Sequence, residues 1–111
     1  MAATFEIKRS GDGQFYFTLK AESGEVILTS QRYVGKSGVA RGIAAVRRSA
    51  ADSWRFARRQ SMTRERYYVL IAESLQPIGA SERYSSKAAR DRGILAVQRC
   101  AAQAAIVDST V

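Results

Sequence analysis

Ser30-Gln31-Arg32-Tyr33-Val34-Gly35-Lys36 returns as Ser81-Glu82-Arg83-Tyr84-Ser85-Ser86-Lys87, with Ser, Arg, Tyr and Lys in the same places. The shift between the two stretches is 51 residues, and it also carries Tyr16 to Tyr67, Leu19 to Leu70 and Ala21-Glu22-Ser23 to Ala72-Glu73-Ser74. At the same spacing Arg41-Gly42-Ile43-x-Ala45-Val46 falls on Arg92-Gly93-Ile94-x-Ala96-Val97, so residues 5–51 align on 56–102 without a gap. A fixed internal period is the mark of one supersecondary unit built twice. Two repeats are expected, about 5–52 and about 54–108, within a single domain spanning residues 1–111. Each half is at the margin of what one hydrophobic core supports, and no linker separates Ala51 from Trp54. The halves are therefore expected to share a core.

Each repeat changes period part-way along. Phe5-Glu6-Ile7-Lys8-Arg9 alternates apolar and polar residues as a half-buried strand does. Gly11-Asp12-Gly13 turns the chain, and Phe15, Phe17 and Leu19 then face one way while Tyr16, Thr18 and Lys20 face the other. After Ser23-Gly24, the run Val26-Ile27-Leu28-Thr29 is rich in β-branched residues. From Lys36 onward, Val39, Ile43, Val46 and Ala50 recur at helical spacing, as do Ile94, Val97 and Ala101 in the second copy. Arg90 replaces Val39 and is expected at the edge of that stripe. Gly35 and Ser86 stand where helix N-caps are wanted, and Ala105-Ile106-Val107 reads as a last strand. Its counterpart Trp54-Arg55-Phe56 merges into the opening strand of the second copy. Glycines inside both helices, Gly42 and Gly93, predict close approach of helix backbone to a strand. Pro77 cannot donate a ladder hydrogen bond and is expected at a strand start or an edge.

These residues resemble the YegP-like family of small bacterial proteins. The pattern is carried by Phe15-Tyr16-Phe17-Thr18-Leu19-Lys20-Ala21, Gly24-Glu25, Ser30, Tyr33, Lys36 and Gly42-Ile43-x-x-Val46. The second copy repeats it in Tyr67-Tyr68-Val69-Leu70, Ser81, Tyr84, Lys87 and Gly93-Ile94-x-x-Val97. The resemblance implies an α+β fold: two β3-α-β units in a single, mainly antiparallel sheet, helices packed on it, C-terminal strands exchanged between units. It implies no activity, and no cofactor is expected. The family usually has asparagine before the helical glycine, where this chain has Arg41 and Arg92, and the second copy has lost its turn glycines.

The chemistry is dominated by charge. The net charge is +8, and 14 of the 18 basic residues are arginine, whose planar fork suits phosphate and carboxylate. Histidine is absent, Cys100 is alone and the ten acidic residues are scattered, which disfavours general-base chemistry and the usual zinc patterns. Cys100, set among alanines and matched by Ser49, reads as a small apolar filler. No stretch approaches a membrane span, no secretory leader is apparent, and the reading is cytoplasmic. The strongest cluster is Arg55, Arg58, Arg59, Arg64 and Arg66 around the hairpin at 55–66, interleaved with Trp54, Phe56, Tyr67 and Tyr68. Two readings stand: a grip on phosphates and bases, or a solvated hairpin with arginines held by acids and aromatics in the core. Tyr16 and Tyr67 mark the face opposite the helices, either a stacking platform or a surface closed by packing. Arg41, Arg48, Arg92 and Arg99 form outward helical stripes. The expected function is a non-enzymatic binding module with a basic surface, its partner unknown and either nucleic acid or an acidic protein. Weak, sequence-tolerant nucleic-acid binding through the hairpin and tyrosines is the first alternative. An enzyme acting on a small acidic substrate is the second. A monomer with pseudo-twofold repeats and a homodimer both fit.

Overall fold

The computed structural model describes residues 2–111. The chain order is β1 (Thr4–Arg9), β2 (Phe15–Lys20), β3 (Val26–Ser30), α1 (Lys36–Ser49), a 3-10 turn (Ser53–Arg55), β4 (Phe56–Gln60), β5 (Arg66–Ile71), β6 (Pro77–Ala80), α2 (Lys87–Cys100) and β7 (Ala105–Asp108). All seven strands form one sheet, in the order β4-β5-β6-β3-β2-β1-β7. Every pairing is antiparallel except β1 with β7, which is parallel. The repeats meet at β3 and β6, and a pseudo-twofold axis passes between those strands. The expected α+β fold is the one observed.

Strand exchange takes two forms. β7 follows the second helix and crosses to the first repeat, where it lies beside β1. The chain leaving α1 instead passes through the 3-10 turn directly into β4, the first strand of the second repeat's sheet. One fourth strand thus exists where two repeats would have two. Pro77 opens β6 beside a register shift, at a strand start as its missing N–H requires.

Both helices cover one face. Ile43 and Ile94 are each 2% exposed, and Val39, Val46, Val97, Ala50 and Ala101 are buried with them against Phe5, Phe17, Leu19, Phe56, Tyr68 and Leu70. Burying each large side chain contributes roughly 1.5–3 kcal/mol. The core repeats like the sequence: Phe5 meets Phe17 edge-on at 5.8 Å and Phe17 stacks on Tyr33, while Phe56 meets Tyr68 at 5.7 Å and Tyr68 stacks on Tyr84. The helical glycines admit these rings. A Cβ on Gly93 would stand 2.6 Å from the Tyr84 hydroxyl and 3.0 Å from the Tyr68 ring, and Gly42 faces Tyr33 and Phe17 in the same way. So the close approach involves the tyrosine ahead of each helix as much as a strand. Ser86 Oγ accepts from the Ala89 amide and caps α2, while Gly35 has no side chain to offer.

One expectation is corrected. Arg90 is not at the edge of its helical stripe but is 9% exposed, among the core residues. Its charge survives there because Asp91 takes a 3.1 Å ion pair from its Nε. Cys100 is half-buried and packed against the core, and burial pushes its thiol pKa up, as suits a filler.

Candidate binding surface

The strand register decides which side of the sheet each cation occupies. Phe56 and Arg58 share the helix side of β4, while Ala57 and Arg59 share the open side. Arg58 Nε lies 3.2 Å from Asp91, which therefore holds both Arg58 and Arg90. Burial works to raise the Asp91 pKa, yet the hydrogen bonds from Arg90 and Arg58 bring it below the ordinary carboxylate value. Arg55 is tucked in, 3.2 Å from Asp52 with its guanidinium over the Trp54 ring at 4.2 Å. Arg66 is half-buried at the start of β5, and Arg64 is exposed at the turn with φ +66°.

On the open side, Arg59 sits opposite Tyr67, and Arg83 lies over the Tyr67 ring at 4.3 Å. Arg59, Arg64 and Arg83 have no ion-pair partner among the described residues. Tyr16 is on the same open face but not in the same place. β2 and β5 run in opposite directions, so Tyr16 and Tyr67, each near the start of its strand, mark opposite ends of the sheet. Tyr16 lines a separate groove of about 450 Å³ with Arg9, Ser10, Thr29 and Arg32. Phe56 and Tyr68, placed by the sequence beside the arginines, are core residues.

Comparing the repeats shows where charge has accumulated. In the first, Glu6 takes Lys20 at 3.1 Å and Ser109 at 2.6 Å, and Asp12 takes Arg32 at 3.6 Å. Hydrogen bonds from Ser109 and Lys20 hold the Glu6 pKa low, and those from Ser10 and the Gln14 amide do the same for Asp12. The counterparts of Glu6 and Asp12 are Ala57 and Thr63, so both acids are lost. Across the hairpin, Ile7, Gly13 and Phe15 become Arg58, Arg64 and Arg66, while Arg9 and Lys20 become Gln60 and Ile71 and Gln14 becomes Glu65, so residues 5–20 carry a net charge of +1 and residues 56–71 carry +3. Arg83 lost its acid this way and rests on Tyr67 instead. The hairpin arginines stand out in the second copy's sequence and Arg83 does not; the substitution of Asp12 by Thr63 is its signal.

The outer edge of β4 is bare. The amides of Arg66 and Tyr68 point toward β6 and its flank, where they bond the Tyr84 carbonyl and Ser81 Oγ. Tyr67 and Val69 therefore point at β4 and bond Arg59 and Ala57. That leaves the backbone groups of Phe56, Arg58 and Gln60 directed away from the sheet, with no strand beyond them among the described residues. Trp54, 71% exposed, stands at the near end of this edge. The described residues hold no cluster of three His, Cys, Asp or Glu side chains suited to a metal, and no helix long and apolar enough to cross a membrane.

A tandem β3-α-β sheet with one open face and edge strands β4 and β7 defines the class. The chain belongs to the family described as "Domain of unknown function (DUF1508)", whose model matches residues 10–56 and 64–108. It is 42% identical over 106 residues to UPF0339 protein MS1092 of Mannheimia succiniciproducens, covering 96% of this chain and 94% of that one. It is 36% identical over 110 residues to UPF0339 protein YegP of Escherichia coli, covering 99% and 100%. The solution NMR structure of yegP from E. coli matches with a TM-score of 0.92 at 36% identity over 98% of this chain and 94% of that one. That of UPF0339 protein SO3888 from Shewanella oneidensis matches with a TM-score of 0.90 at 42% identity over 97% and 92%. The resemblance read from the two copies thus holds over nearly the whole chain.

Proposed function

We propose that the protein is a non-enzymatic binding module whose working surface is the β4–β5 hairpin of the second repeat. The observation that carries this reading is the break in symmetry between the two hairpins: residues 5–20 carry a net charge of +1 and their counterparts 56–71 carry +3, with Glu6 and Asp12 lost. The first repeat keeps Glu6 and Asp12 among its cations, and the second leaves Arg59, Arg64 and Arg83 without a carboxylate. A surface of this kind attracts anionic partners and raises their encounter rate. Four of the ten carboxylates are committed to ion pairs and hydrogen bonds within the fold. Glu6, Asp12, Asp91 and Asp108 are all held below their ordinary pKa values, opposite to what a general acid near neutrality needs.

Nucleic acid is the weaker alternative. Arg83 covers the Tyr67 ring and Tyr16 lies at the far end of the sheet, so phosphate contacts remain but a paired stacking platform does not. The test is amide chemical-shift mapping with two probes, a single-stranded oligonucleotide and a polyglutamate peptide, at two salt concentrations. Shifts confined to residues 57–67 and Arg83 are expected. Shifts centred on the helical arginines Arg41, Arg48, Arg92 and Arg99 would move the surface to the other side of the molecule.

A further inference from the structure

The sheet contains its own template for what the bare edge of β4 can accept. β1 and β4 are counterparts, and β1 is covered: β7 lies parallel to it, Ala105 opposite Thr4 through Asp108 opposite Ile7. The Ala105 amide donates to the Ala3 carbonyl at 3.3 Å and the Ser109 amide to Ile7 at 3.0 Å. Asp108, on the helix side, reaches Lys36 Nζ at the start of α1, 2.8 Å away. Arg47 holds the approach to this strand by donating to the carbonyls of Ala101, Ala102 and Ala104 at 2.9–3.0 Å.

Around β4 the receiving half of this arrangement is present and the strand is missing. Lys87 is the counterpart of Lys36, stands first in α2, is exposed and has no ion pair among the described residues. Arg58 replaces Ile7, and Gln98 replaces Arg47, so nothing in this chain delivers a strand to the site. Trp54 is exposed at the position of Ala3, which is 7% exposed beside β7.

We infer that the β4 edge takes up an extended acidic segment of another protein as an eighth strand, parallel to β4, with a carboxylate directed at Lys87. This rests on the hairpin of the second repeat being the binding surface, and it specifies the ligand and its pose. Main-chain hydrogen bonds to Phe56, Arg58 and Gln60 hold the segment, as in other strand additions, and the charges select an acidic one. A second copy suits the edge less well. Two β4 edges pairing antiparallel bring Arg58 and Arg59 of both chains together, and a β7 borrowed from another molecule leaves that molecule's β1 uncovered. Edge cations also discourage self-pairing.

The test uses the full chain and a ten-residue peptide of alternating valine and glutamate. Its control is the same peptide N-methylated on alternate residues, which keeps the charge and removes strand pairing. The peptide is expected to shift Trp54 emission (the chain has one tryptophan) and to protect the outward amides of Phe56, Arg58 and Gln60 from exchange. A spin label on its N-terminus should broaden Phe56 and spare Gln60. Lys87→Ala should weaken binding about threefold, the scale of one exposed ion pair, while Lys36→Ala leaves it unchanged. Equal binding of the methylated control would overturn strand addition and leave the basic binding surface intact. Shifts at the helical arginines alone would overturn both. Broadening at Gln60 would overturn the parallel pose, and protection of the same amides by a single-stranded oligonucleotide would overturn the acidic polypeptide as the ligand class. Sedimentation showing that the edge is occupied by self-association would do the same.

Discussion

The Tyr68 hydroxyl of the second repeat donates a 2.5 Å hydrogen bond to the Ile27 carbonyl of the first, deep in the shared core. Ile27 lies at a register shift between β2 and β3, so its carbonyl needs a partner from outside the ladder. The related carbonyl, that of Ile78, takes the Gln31 amide at 3.0 Å instead, which fits the presence of Phe17 where the second copy has Tyr68. The two register shifts are thus satisfied by different devices.

Tyr68→Phe should cost about 1–3 kcal/mol, because it leaves a buried carbonyl without a donor. Urea unfolding at neutral pH measures this, and an unchanged midpoint would show that the bond contributes nothing. Burial also pushes the Tyr68 pKa above its ordinary value of 10.0. A raised folded-state pKa means that the stabilisation is fully present below pH 10 and fades as pH rises beyond it. The wild type should lose stability over that alkaline range more steeply than Tyr68→Phe.

Gly93→Ala tests the fit between α2 and its tyrosines. Helix propensity alone favours alanine by about 1 kcal/mol. Against this, the new Cβ would stand 2.6 Å from the Tyr84 hydroxyl, and overpacking of this kind costs about 1–3 kcal/mol. Net destabilisation is expected, with partial recovery in Gly93→Ala/Tyr84→Phe. A thermal midpoint raised by the single substitution would show that the ring moves aside freely.

Two turns of the second repeat keep a backbone shape that their residues do not favour. Arg64 has φ +66° and Leu75 φ +71°, at the positions where the first repeat has Gly13 at +83° and Gly24 at +88°. Relieving left-handed strain is worth roughly 1–2 kcal/mol, and the looser unfolded chain of glycine returns part of that. Arg64→Gly and Leu75→Gly should each stabilise the protein by about 1 kcal/mol, measured by urea unfolding. Destabilisation by either would mean that the side chain makes contacts worth more than the strain.

Most of this architecture is legible in the chain because apolar periodicity is repeated: Phe17 and Leu19 at period two, and Val39, Ile43 and Val46 at helical spacing, each find the core, and Phe15 packs half-buried against it. What pattern cannot supply is the pairing of residues distant in sequence. Arg90 looked like an edge residue because nothing local shows that Asp91 also faces Arg58. Tyr16 and Tyr67 are equivalent by repeat and share a face, yet the pseudo-twofold axis sends them to opposite ends. The bare edge of β4 is implicit in the way the chain leaving α1 runs into the second copy's opening strand, although Trp54 and Arg55 form the 3-10 turn and only Phe56 joins β4, and its significance depends on knowing that β7 covers β1.

Asp108 predicts how the sheet responds to acid. Hydrogen bonds from Lys36 and then Thr110 lower its pKa from 3.8 to about 2. A depressed folded-state pKa stabilises above the unfolded value, so the benefit is present above pH 3.8 and is lost as pH falls toward 2. The β7 amides should therefore lose exchange protection over that range before those of β2. Asp108→Asn should remove the pH dependence in β7, and an identical acid profile in the variant would separate Asp108 from the docking of that strand.

The last prediction concerns the first repeat on its own. Residues 1–52 hold β1, β2, β3 and α1 but lack both β7 beside β1 and β6 beside β3. Two sheet edges are then bare and the core around Phe5, Phe17 and Ile43 loses cover, so this fragment should not fold as a stable monomer. Residues 1–59 add Trp54-Arg55-Phe56-Ala57, the counterpart of β7, and two such fragments should exchange it as an isologous dimer. That dimer should be weak, because Ala57 stands where Asp108 meets Lys36 in the intact chain. Ala57→Asp in the fragment restores the carboxylate and should tighten the dimer, read by sedimentation and circular dichroism over a concentration series. A cooperatively folded monomer of residues 1–52 would show that each repeat closes its own core, and a dimer indifferent to Ala57→Asp would show that the exchanged strand is not seated as β7 is.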